Sequence, residues 1–168
     1  MKKDIFIDNN IASKYFSNPI DADYKKLIEW LKIYNGNEET DAYLVVSPFL
    51  MREYSESNRY PNSRTNIVQI ISDMTKEGRL TNFNKKQIEA FQKQYHTKKV
   101  LKNLLTKDTK DVNHIPAVLL SNRKMALSED NNFLHDLNQI PNFTAITAKR
   151  PEDLPYRLML RKPDRVER

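Results

Sequence analysis

Cysteine is absent from the 168-residue chain. Disulfides, thiolate metal sites and a cysteine nucleophile are therefore excluded, and any metal must be held by oxygen or imidazole. Glycine is almost absent too, occurring only as Gly36 and Gly78. A phosphate-cradling P-loop or a dinucleotide fingerprint needs several glycines at fixed spacing, so both are excluded. No stretch approaches the roughly 18 consecutive apolar residues of a membrane span, and Asp8 interrupts the N-terminal apolar segment too early for a signal peptide. A cytoplasmic location is expected by default. Internal repeats and low-complexity runs are also missing.

What is present fits one domain with a sizeable core. A hydrophobic fraction of 39% can fill that core, so the mean hydropathy of −0.74 reflects a heavily charged surface. Lys and Arg total 28 against 22 acids, a net charge of +6 that favours a polyanionic partner. The excess is local. Between Asn84 and Lys110 stand eight lysines and two acids, so this segment carries +6 and the remainder sums to zero.

Ile5 to Ile7 is an apolar run without alternation, as in a parallel strand covered on both faces. Tyr24, Leu27, Ile28, Leu31 and Tyr34 recur at helical spacing over 22–34, before the stop at Asn35-Gly36-Asn37. Trp30 and Tyr34 read as core. Tyr43 to Val46 is β-favouring, and Ser47-Pro48 can cap a helix through Phe49, Leu50 and Tyr54. Asn62 or Ser63 can cap the next helix, with Ile67, Ile70, Ile71 and Met74 inward and Gly78 ending it. Residues 84–105 read as one long helix. A shorter helix follows over 111–120, then a strand at 125–128, a helix around Phe133, Leu134 and Leu137, and a last strand at 143–148. Helices alternating with short strands predict an α/β fold, a three-layer sandwich on a mainly parallel sheet. From Lys149 onward the chain reads as extended, with residues 1–156 forming the domain and 157–168 a basic C-terminal tail.

In open parallel sheets the functional crevice lies beyond the carboxyl ends of the strands. Asp8 follows the first strand directly. Asp130, in "MALSEDNNF", follows the strand that closes near Ser128. Glu53 lies one and a half turns into the helix after the second strand, and Asp111 opens a helix, where the dipole favours its ionised form. Four acids on one edge repel one another by roughly 4 kcal/mol per pair at about 4 Å and an effective dielectric near 20. A cation must offset that cost. Hard oxygen ligands select Mg²⁺ or Mn²⁺, and two such ions about 3.5–4 Å apart are a common apparatus for in-line attack on a phosphodiester.

These pieces, in order, are "IFIDNN", "VSPFLMREY", "DVNHIPAVLLS" and "MALSEDNNFL", and with them the chain resembles a PIN-domain ribonuclease of the bacterial toxin type. Asp111 and Asp130 stand nineteen positions apart, which suits that family. The resemblance implies a PIN-like fold and a metal-dependent endoribonuclease acting on single-stranded or looped RNA, as the toxin of a toxin–antitoxin pair. It implies that Asp8, Glu53, Asp111 and Asp130 are catalytic and bind Mg²⁺ or Mn²⁺, with Asn10 and Ser128 in support. It also implies an antitoxin protein and a homodimer as partners, and no membrane. Two positions depart from the pattern. Asn9 stands where Thr or Ser is usual, removing a supporting hydroxyl. Pro116 lacks an N–H and is expected to break or kink its helix.

Each acid also has a plain structural role open to it as a helix cap or a solvated side chain, with Glu56 and Asp108 as nearby competitors and Glu129 expected exposed. His114 lies three residues beyond Asp111 and reads as a hydrogen-bonded structural residue. The basic segment reads first as a solvated helix face. Tyr95 and His96, interleaved with Lys93, Lys98, Lys99 and Lys102, also make it a candidate RNA-binding surface. Two rival functions stand beside the nuclease: a catalytically inactive PIN-like RNA-binding or scaffold domain, and a phosphatase of the haloacid dehalogenase kind. The latter needs a second Asp where this chain has Asn10.

Overall fold

The computed structural model describes residues 1–58, 64–104 and 109–156. Five parallel strands form one sheet in the order β3-β2-β1-β4-β5, flanked by helices in an α/β arrangement. β1 (Lys3–Ile7) is central, between β2 (Ala42–Val46) and β4 (Met125–Leu127), while β3 (Leu80–Asn82) and β5 (Ile146–Ala148) lie outside. Ile5, Phe6 and Ile7 are fully buried, which is why their run shows no polar alternation. Ile5 pairs with Leu44 and Phe6 with Ala126.

Asp8 ends β1 and caps α1 (Asn9–Ile11), which runs into a wide turn at Ala12–Phe16 before α2 (Ala22–Lys32). Ser47 accepts from the Leu50 N–H and Pro48 occupies the first turn, launching α3 (Pro48–Ser57) as the sequence predicts. α4 (Ile67–Lys76) buries the four expected residues, but its cap is Asn66; Asn62 and Ser63 lie outside the described residues. The expected single helix over 84–105 is two: α5 (Lys85–Tyr95) and α6 (Lys98–Asn103). Thr97 accepts from Val100 N and starts α6 afresh, so Val100 is buried and Leu101 exposed.

α7 (Thr109–Leu120) starts two residues before Asp111 and is not broken at Pro116. The missing Pro116 N–H leaves the carbonyl of Val112, four residues earlier, without its helical donor. Gln92 of α5 supplies one, Nε2 donating to Val112 O at 3.0 Å. α8 (Asn131–Asp136) follows β4 as expected.

At the amino edge, Asp4 accepts from the backbone of Asn122 and Arg123, and Tyr156 donates its hydroxyl to Asp4 O at 3.1 Å. Residues 149–156 are therefore not an extended tail: Pro151–Asp153 forms a short 3-10 turn, and Leu154 and Tyr156 pack on the core. Residues 157–168 lie outside the described residues. Tyr34 also departs from expectation; it is 51% exposed beyond the end of α2, whereas Trp30 is buried. No described helix is long and apolar enough to cross a membrane.

Candidate functional site

The β1–β4 ladder continues one residue past β1: Asp8 N donates to Leu127 O, at the end of β4, at 2.9 Å. This sets Asp8 beside Ser128 at the carboxyl edge of the sheet. Asp8 Oδ1 accepts from Asn9 N at 2.7 Å, and Oδ2 accepts from the Ser128 hydroxyl at 2.6 Å. Ser128 Oγ in turn accepts from Asn10 Nδ2 at 3.3 Å and from Asp130 N at 3.0 Å. Asn10 Oδ1 receives Glu129 N at 3.4 Å. Four residues expected from sequence thus share one hydrogen-bonded cluster, with Ser128 at its centre.

Tyr54, fully buried, donates its hydroxyl to Ile7 O and so fastens α3 to the end of β1. Its neighbour Glu53 is thereby carried to the same edge. Burial pushes the Asp8 carboxyl above its usual range; the Ser128 hydrogen bond and His114 pull it down, and Glu53 adds an upward push. Asp8, Glu53 and His114 therefore act on one another electrostatically.

His114 is a buried, hydrogen-bonded residue, as the sequence suggests, and its Nε2 lies 2.8 Å from Glu53 Oε2. Its ring packs on Phe6 and Phe133 at centroid distances of 5.5 and 6.4 Å, and Nδ1 has no partner among the described residues. The only available signal was helical spacing, which places His114 one turn from Asp111 on α7. Its pairing with a residue 61 positions away left no local trace.

Asp111 is buried in the first turn of α7, and the charged groups acting most strongly on Asp8 are His114 and Glu53 rather than Asp111. Asp130 sits next to Ser128, but its carboxylate turns to its own helix and caps Asn132 N and Phe133 N at 3.0 and 3.2 Å. Among the described residues, no three acidic or histidine side chains lie together closely enough to hold a metal ion. Asn9 replaces the missing hydroxyl with an amide, Nδ2 donating to Ser57 Oγ at 2.8 Å. Glu129 is engaged rather than free: Lys14 pairs with it at 3.2 Å and Tyr15 donates to it, holding its carboxyl below the usual range. Lys93, Lys98, Lys99 and Lys102 are all exposed, away from this cluster in the chain.

No protein-family model matches the chain, and neither a curated protein nor a solved structure shows significant similarity to it.

Proposed function

We propose that the chain is a metal-dependent ribonuclease of PIN type, hydrolysing phosphodiester bonds of single-stranded or looped RNA. The observation that carries this reading is the convergence of Asp8, Asn10, Glu53 and Ser128 on the carboxyl edge of a parallel sheet, where such folds do their chemistry. An inhibitory partner protein and a second copy of the chain belong to the same proposal through the resemblance alone.

The donor set is the test of the metal. Mg²⁺ is commonly held by one or two carboxylates, with water and substrate phosphate completing its shell. Asp8 and Glu53 provide two carboxylates near enough for Glu53 to oppose ionisation of Asp8, a conflict that a divalent cation relieves. These residues fit Mg²⁺ or Mn²⁺ and would hold it; Asp111 and Asp130 are the further ligands the resemblance implies. Such an ion neutralises phosphate charge and activates water.

The chain's own groups do the rest. Ser128 and the Asn9 N–H fix both oxygens of Asp8, and Asn10 braces the β4–α8 turn against them. His114 orients Glu53 from a dry aromatic wall made by Phe6 and Phe133. Purified protein is expected to cleave RNA only with Mg²⁺ or Mn²⁺ present, and Asp8→Asn is expected to lose that activity. Absence of cation-stimulated cleavage, or an Asp8→Asn variant as active as its parent, overturns the proposal.

A non-catalytic RNA-binding domain on the same fold is the second reading. It is favoured by the Glu53–His114 hydrogen bond, which gives one of the acids a protein partner. It predicts RNA binding unaffected by chelator and no heat on titration with Mn²⁺.

A further inference from the structure

We infer that the cavity between the α5–α6 corner and the loop after α8 docks one nucleotide of a single-stranded RNA and lies apart from the carboxylate edge; the inference rests on RNA being the substrate class. The corner exists because α5 ends at His96 and Thr97 caps a new helix. The cavity it leaves measures about 290 Å³ and is lined by Gln94, Tyr95, Lys99, Asn103, Gln139 and Asn142 among others. Among the described residues, no acidic side chain lines it. Tyr95 is partly buried, its ring held by Phe91 at 4.7 Å and edge-on by Phe143 at 4.9 Å. A pre-positioned aromatic ring beside several carboxamides is what an unstacked base needs, since the ring stacks on it and the amides pair with its polar edge.

The charge around the cavity selects a polyanion. Lys93, Lys98, Lys99 and Lys102 crowd α6 and the last turn of α5, all exposed, and form no ion pair among the described residues. A cluster of unpaired cations repels itself and is relieved by phosphate. Continuity with the candidate site adds direction. Gln139 also lines a second cavity of about 420 Å³ that reaches Asn131, the residue after Asp130. The six residues of α8 between them span roughly 9 Å at 1.5 Å per residue. An RNA strand seated at Tyr95 therefore runs beside α8 toward Asp130.

The test is fluorescence anisotropy of a short labelled polyuridine titrated with the full chain in chelator, across a range of salt. Lys99→Ala combined with Lys102→Ala alters only exposed side chains and should fold; it is expected to reduce the slope of log affinity against log salt by about 1.4, at 0.7 per lysine. Tyr95→Ala is expected to weaken binding roughly tenfold with the slope unchanged. A lysine variant with the parent's affinity and slope overturns the inference, whatever the fate of Tyr95→Ala. The two proposals fail separately. A parent that cleaves RNA while the lysine variant binds normally removes this subsite and leaves the nuclease. A parent that cleaves nothing but binds in a lysine- and Tyr95-dependent way does the reverse.

Discussion

The Ser128 hydroxyl donates to Asp8 Oδ2 at 2.6 Å, joining residues 120 positions apart at the ends of adjacent parallel strands. The same oxygen accepts from Asn10 and from the Asp130 N–H, so one buried hydroxyl serves three partners. Ser128→Ala is expected to cost about 1–3 kcal/mol of stability by stranding buried polar groups. RNA cleavage should fall about 10- to 100-fold, as when partners that orient a metal-binding carboxylate are removed. Urea titration and initial cleavage rates measure the two effects separately.

Asp130 caps α8 with the same carboxylate that the nuclease reading needs as an acid. Asn caps helices about as well as Asp, so Asp130→Asn should leave the melting temperature nearly unchanged. Cleavage should nevertheless drop, because only the charge is lost. An equally active variant would reduce Asp130 to a cap.

Glu53 and His114 can be parted without opening a cavity. His114→Phe keeps an aromatic ring against Phe6 and Phe133 but removes the partner of Glu53 Oε2. Expected is a folded protein whose cleavage rate falls about tenfold. Circular dichroism confirms folding, and single-turnover cleavage reads the loss.

Gln92 substitutes for the donor that Pro116 lacks, and the dependence is measurable. Gln92→Met should cost about 1 kcal/mol in the parent. In a Pro116→Ala background the new N–H reaches Val112 O, and the same substitution should cost less, because only the Gln92 Nε2–Asn113 Oδ1 hydrogen bond of 3.1 Å is then lost. The double-mutant cycle returns the difference as the coupling, up to about 1 kcal/mol.

Burial lowers the pKa of His96 below its ordinary 6.5, and neither ring nitrogen has a partner among the described residues. The folded state keeps the ring neutral, while the unfolded chain takes up the proton as pH falls below about 6.5. Stability from the neutral ring is present above that value and is lost as pH falls through the lowered one. His96→Leu should flatten this part of the stability–pH curve, as read from urea midpoints at successive pH values.

The strands that carry the site were legible because they are buried on both faces and end abruptly on polar residues, as at Ile7-Asp8 and Leu127-Ser128. β3 was not legible: three residues, two of them polar, offer no periodicity and gain strand geometry only by pairing with β2. The break at His96-Thr97 carries neither Gly nor Pro, and the Thr97 cap was its one local sign. Tyr34 kept the helical spacing but fell just past the helix end, so periodicity overstated its burial. His114 found Glu53 through the packing of α7 on α3, which no stretch of sequence spells out.

The join between the first and fourth strands also sets a timetable. β2 and β3 can assemble on β1 as soon as they are made, but Asp8 waits for a serine supplied 120 residues later. A chain still emerging from the ribosome therefore holds Asp8 by the Asn9 N–H alone, and this edge of the sheet is completed only once β4 and Ser128 have been made.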